Sequence, residues 1–118
     1  MIDAAQDALD RLTRVRGVRG ALLVSTEDGL VVAEAIMEGV AAKPIAALAA
    51  STLTRLARAM PRAGLRAPQF VQLRAERGMM LAAPAGDDLL VVAIADPTVN
   101  VGLVRLELLD VVAAVVGR

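Results

Sequence analysis

Seven consecutive apolar residues, Leu89 to Ala95, constrain this chain more than any other feature. Ala85-Gly86-Asp87-Asp88 turns the chain into the run, and Asp96-Pro97 stops it. That length suits a strand and is short for a helix. Side chains of a strand alternate between its two faces, so a run that is apolar throughout must be covered on both sides. The chain therefore has to supply helices for both faces of a sheet in which Leu89–Ala95 is central. The same run is the longest in the sequence and falls far below the roughly 20 residues of a membrane-spanning helix, so no membrane insertion is expected.

The neighbouring segments supply those layers. From Ile2 to Arg14, apolar residues at Ile2, Ala5, Leu9 and Leu12 keep helical spacing, with Asp7/Arg11 and Asp10/Arg14 as i,i+4 pairs on the wet side. Gly17 and Gly20 should follow the helix end. Ala21–Ser25 and Leu30–Ala35 are short apolar runs around Asp28-Gly29, a pair that accepts the positive φ of a hairpin turn. Phe70–Ala75 alternates, Arg77-Gly78 turns, and Met79–Ala83 is a further strand. Thr98 or Asn100 can cap a last helix reaching about Val115, with Val101, Val104, Leu108, Val111, Val112 and Val115 on one face and Leu106, Leu109, Ala113 and Val116 on another. The order is helix, two strands, helix, three strands, helix. The expectation is a single-domain α+β sandwich over residues 1–118 around a five-stranded antiparallel sheet.

The middle helix, expected from Pro44 in its first turn to about Ala63, has three faces at 100° per residue. Ile45, Leu48, Ala49, Thr52, Leu56 and Met60 form a stripe assigned to the sheet. Ala46, Ala50, Leu53 and Ala57 form a second apolar stripe of mostly small side chains, and Ser51, Arg55, Arg58 and Arg62 a polar one. A sheet-packing helix needs one apolar face. The surplus stripe, Ala46/Ala50/Leu53/Ala57, is expected to pack on a second copy of the chain, because a monomer would leave it as an exposed patch. Arg55, Arg58 and Arg62 read either as a solvated face or as a docking patch for an acidic protein partner.

Composition excludes most chemistry. There is no Cys and no His, which removes thiolate metal sites, the Cys nucleophile and the commonest general base. Lys+Arg and Asp+Glu are both 13, so there is no basic surplus for a phosphate backbone, and the lone aromatic, Phe70, gives no stacking platform. No nucleic-acid partner is expected. Asp87-Asp88 reads as turn chemistry, and Ser25 and Ser51 have no partner base. Gly17-Val18-Arg19-Gly20 precedes a strand, whereas a phosphate loop follows one and opens a helix. No catalytic residue, metal or cofactor is expected, and an enzyme is the least favoured class. Met1–Asp7 lacks the basic and apolar regions of a signal peptide, so a cytoplasmic setting is expected. The single lysine, Lys43, among arginines suits a GC-rich bacterial genome.

Several segments together resemble the roadblock family of dynein light-chain relatives in its short bacterial form. They are Leu12 with Val15-Arg16-Gly17-Val18-Arg19-Gly20-Ala21, the Asp28-Gly29 hairpin, the alanine-rich middle helix, Asp88-Leu89-Leu90-Val91-Val92, Ala95-Asp96-Pro97 and Gly102-Leu103-Val104-Arg105. The resemblance implies a profilin-like α-β-β-α-β-β-β-α sandwich. It implies a homodimer in which the middle helices pair and the third strands, with Phe70, Val71 and Leu73, join edge to edge. It also implies a non-enzymatic regulator or scaffold of a small Ras-like GTPase, similar to the activator of the gliding-motility GTPase. Arg55, Arg58 and Arg62 would then face the GTPase. Two other readings stay open: a GTPase-independent scaffold of a sensor kinase or other signalling complex, and a small-molecule sensor with a buried cavity.

Overall fold

The computed structural model describes residues 2–117, without the side chain of Ile2, so that expected core contact lies outside the described residues. Helix α1 (Ile2–Thr13) leads into strands β1 (Val18–Ser25) and β2 (Val31–Ile36). Helix α2 (Ala42–Ala59) and a 3-10 turn (Pro61–Ala63) follow, then β3 (Val71–Arg74), β4 (Met79–Ala85), β5 (Leu89–Ala95) and α3 (Val101–Val116). The strands form one sheet in the order β2-β1-β5-β4-β3, every neighbour antiparallel. The α-β-β-α-β-β-β-α order and the five-stranded antiparallel sheet are as the sequence predicts.

The seven-residue apolar run is the middle strand. Val91, Ala93 and Ala95 face a core closed by Leu9, Leu12, Val104, Leu108 and Val111 of α1 and α3. Leu90 and Val92 face the opposite core, with Leu22, Val24 and Ala82 from neighbouring strands, beneath α2. The period-2 alternation thus distributes β5 between two apolar layers.

Local chemistry sets the boundaries. The hairpin turns at Asp28-Gly29: Gly29 has φ +71°, and the Asp28 carboxylate accepts from the Leu30 N–H at 3.1 Å. A Cβ on Gly29 would stand 3.3 Å from the Ala47 Cα, so the turn tucks under α2 where only glycine fits. β1 starts at Val18, three residues before the expected Ala21, because Gly20 is paired within the sheet. β3 is shorter than Phe70–Ala75. α2 stops at Ala59 rather than about Ala63, since Pro61 has no N–H to continue the ladder. Of the two capping candidates, Asn100 is the one that caps: its side chain accepts from the Leu103 N–H at 3.1 Å.

One assignment is reversed. The residues of α2 that pack on the sheet are Ala46, Ala49, Ala50 and Leu53, buried to 5% exposure or less. Ala46, Ala50 and Leu53, expected to meet a second copy, are instead occupied within their own chain. Of the residues expected on the sheet, Ala49 is there and Ile45 packs against the same core, whereas Leu48 is 57% exposed and Thr52, Leu56 and Met60 are only partly covered. The cause is volume matching in a close-packed layer. The sheet presents Leu22, Leu90 and Val92, which fill the gap, so the helix contributes its small side chains and sits close.

Candidate partner-binding surface

Rotating α2 in this way leaves an apolar strip on its outer side. Leu48 lies near its middle, flanked by half-buried Thr52 and Leu56, and Ile45 reaches a cleft shared with Ile94 of β5 and Gly78 just before β4. β3 is one edge of the sheet, and its outer backbone groups have no strand partner among the described residues. Val71 packs into the α2-side core, and Leu73, two residues on and so on the same face, is 41% exposed. An open edge carrying exposed apolar side chains is a template for a second strand.

The other predicted interface residues divide. Phe70 precedes β3, packs against the α1/α3 core and lies under the Arg105 guanidinium, 5.1 Å from the ring centroid, so it serves its own chain. Ala57 is exposed and lines a cleft together with Pro84 and Leu90 of the sheet. Arg55, Arg58 and Arg62 are all exposed, the first two on the last turns of α2 and the third in the 3-10 turn. Among the described residues none of them has a carboxylate within 4 Å, and the one ion pair is Arg19–Asp96 at 3.5 Å.

That cleft, of about 400 Å³, lies between the last two turns of α2, the connector at Ala67-Pro68, and the β4–β5 turn. Leu53, Ala57, Pro68, Pro84 and Leu90 make its walls apolar, with Thr26, Thr54, Arg58 and Asp87 as polar lining. Sequence reasoning missed this cleft, since its walls come from separated segments. It also missed Leu65, 57% exposed on the connector.

The groups weighed for chemistry have structural positions. Asp96 pairs with Arg19, and the Asp88 carbonyl accepts from the Thr26 N–H at 2.8 Å. Asp87-Asp88 and Asp96 flank opposite ends of β5, roughly 25 Å apart for a strand of this length, so the carboxylates do not converge. Gly17 has φ +96° and a Cβ there would meet Val99 Cγ2 at 3.1 Å, which makes it a packing glycine where β1 begins. No described helix is long and apolar enough to cross a membrane.

Comparison with known proteins gives a consistent picture. Residues 4–95 match the family described as the Roadblock/LC7 domain. The uncharacterized protein MJ0714 of Methanocaldococcus jannaschii is 33% identical over 107 residues, 90% of this chain and 89% of that protein. Among solved structures, the gliding protein MglB of Thermus thermophilus superposes with a TM-score of 0.84 at 24% identity, covering 97% of this chain and 87% of that one. MglB has also been solved in a tetrameric arrangement. Profilin II of Acanthamoeba castellanii superposes with a TM-score of 0.61 at 16% identity, over 95% of this chain and 96% of that one. The sandwich is therefore profilin-like.

Proposed function

The chain belongs to the Roadblock/LC7 family, and from that premise we propose that it is a homodimeric, non-enzymatic regulator or scaffold of a small Ras-like GTPase. The observation that carries the reading is the joint presence of an apolar outer strip on α2 and a β3 edge that has no strand partner among the described residues and whose Val71 packs into the α2-side core. Two copies related by a two-fold axis would cover both features at once. Leu48, Thr52 and Leu56 would meet their counterparts, and Val71 and Leu73 would bring the two β3 edges together.

The dimension suits the task. An 18-residue helix is about 27 Å long, and with a strand edge beside it can contribute to the roughly 1,600 Å² of an ordinary stable interface. With the axis near Thr52, the arginines at 55, 58 and 62 of both copies flank the helix pair. They offer cations to a client that spans it. Regulation of this kind acts by holding and repositioning the client's own groups, which accords with a chain that lacks His and Cys and with a cytoplasmic place of work.

The test is direct. The purified chain is mixed with Ras-like GTPases encoded in the same genome, and binding and GTP turnover are measured with and without it. Saturable binding by one of them, with or without a change in turnover, is the expected result. No binding to any of them in either nucleotide state would remove the GTPase reading.

A further inference from the structure

The net charge is zero, yet the charges are segregated. Between Glu38 and Glu76 there is no acidic residue, while Lys43, Arg55, Arg58, Arg62, Arg66 and Arg74 fall in that stretch. Arg55, Arg58, Arg62 and Arg66 succeed one another along the last turns of α2 and the connector toward β3. All four are exposed, and none is in an ion pair with another described residue. Like charges gathered without internal counter-charges make a local positive field that a negative partner would relieve.

Of these arginines, Arg58 lines the 400 Å³ cleft and Arg66 is next to the lining residue Ala67, while on the acidic side Asp87 lines the cleft and Glu27 is next to the lining residue Thr26. The cleft is apolar in its body and charged at its border, which is the layout of an anchor pocket. A buried apolar side chain supplies affinity, and rim charges supply orientation and encounter rate.

We propose that the end of α2 and the connector form an anchor site for an acidic segment of a partner protein. One apolar side chain of that segment fills the cleft, and the carboxylates flanking it pair with Arg58, Arg62 and Arg66. The guanidinium fork matches a carboxylate in bidentate fashion. Asp87, on the wall made by the β4–β5 turn, repels acid from that side. The segment therefore runs along the α2 and connector side rather than across the turn. A membrane surface fits less well, because a recessed cleft with a carboxylate on one wall gives an anionic bilayer little to bind. The site deepens the regulator reading above by naming the chemistry of the client's contact, and it can fail separately from it.

The experiment uses the whole chain and a fluorescent synthetic peptide with one leucine centred among aspartates and glutamates. Binding is read by anisotropy and by NMR shifts of residues around the cleft. Replacing the peptide's leucine by serine should weaken binding about tenfold or more, and the double variant Arg58→Glu, Arg66→Glu should abolish it. Ala57→Phe, which fills the cleft from the helix, should weaken binding about tenfold. Ala67→Phe does the same from the connector, so the result does not hinge on one variant folding.

Equal binding of the leucine and serine peptides would overturn the proposal. So would unchanged affinity in well-folded plugged variants, or binding to phosphatidylglycerol vesicles with none to the peptide. A Ras-like GTPase that binds wild type and both plugged variants equally would overturn the anchor and leave the regulator reading standing. Cleft-dependent peptide binding without affinity for any such GTPase would do the reverse.

Discussion

Leu48→Ala separates association from folding, because the side chain sits on α2 away from either core. In the single chain Leu48 is 57% exposed, so that fraction of its surface is available for burial by a second copy. Full burial of a leucine side chain is worth about 1.5–3 kcal/mol, and the truncation to alanine forfeits roughly 1 kcal/mol of the available part per copy. A symmetric pair buries two, so the variant should lose about 2 kcal/mol of dimerisation free energy, about a 30-fold rise in dimer Kd. Sedimentation equilibrium across a dilution series measures that constant. Far-UV circular dichroism and Tm of the dissociated chain should be nearly unchanged. A dimer Kd within about threefold of wild type would refute the reasoning, because it would mean that the outer strip of α2 is not the surface that pairs.

Ala50→Glu should unfold the chain rather than merely dissociate it, since residue 50 is 5% exposed on the sheet-facing side of α2 and an unpaired carboxylate there has no compensation; a thermal melt of the variant at low concentration checks this. Asn100→Ala should lower folding stability by about 1 kcal/mol through loss of the α3 cap, seen as a lower denaturant midpoint with an unchanged slope. Gly29→Ala should cost about 1 kcal/mol or more, because it combines φ +71° with a 3.3 Å approach to the Ala47 Cα, read from the same titration. Arg19→Ala should change stability by no more than about 0.5 kcal/mol, its pair with Asp96 being close to half exposed on both sides.

The fold was legible where one physical demand admitted one answer. Leu89–Ala95 had to be covered on both faces, and Asp28-Gly29 had to turn a hairpin. The faces of α2 were legible only as sets. Periodicity separated Ala46/Ala50/Leu53 from Ile45/Leu48/Leu56, but both sets are apolar, and hydrophobicity alone does not say which lies on the sheet. That choice depends on the bulk opposite: Leu22, Leu90 and Val92 leave room for alanine and little more. The surplus of apolar perimeter on the helix was visible in sequence, while its location was not. The cleft was hidden for a different reason, since Thr26, Ala57, Pro68 and Pro84 come together only after the sheet order is known. The linear signals pointing to that end of α2 were the Arg55/Arg58/Arg62 series and the acid-free stretch from residue 39 to 75 around it.

The most direct test of the account is the mass of the unmodified chain in solution as a function of concentration. Multi-angle light scattering should give twice the 12.2 kDa of one chain, persisting on dilution into the low micromolar range. A mass of one chain, maintained at high concentration with the strip around Leu48 open to solvent exchange, would contradict the paired platform on which the proposed role rests.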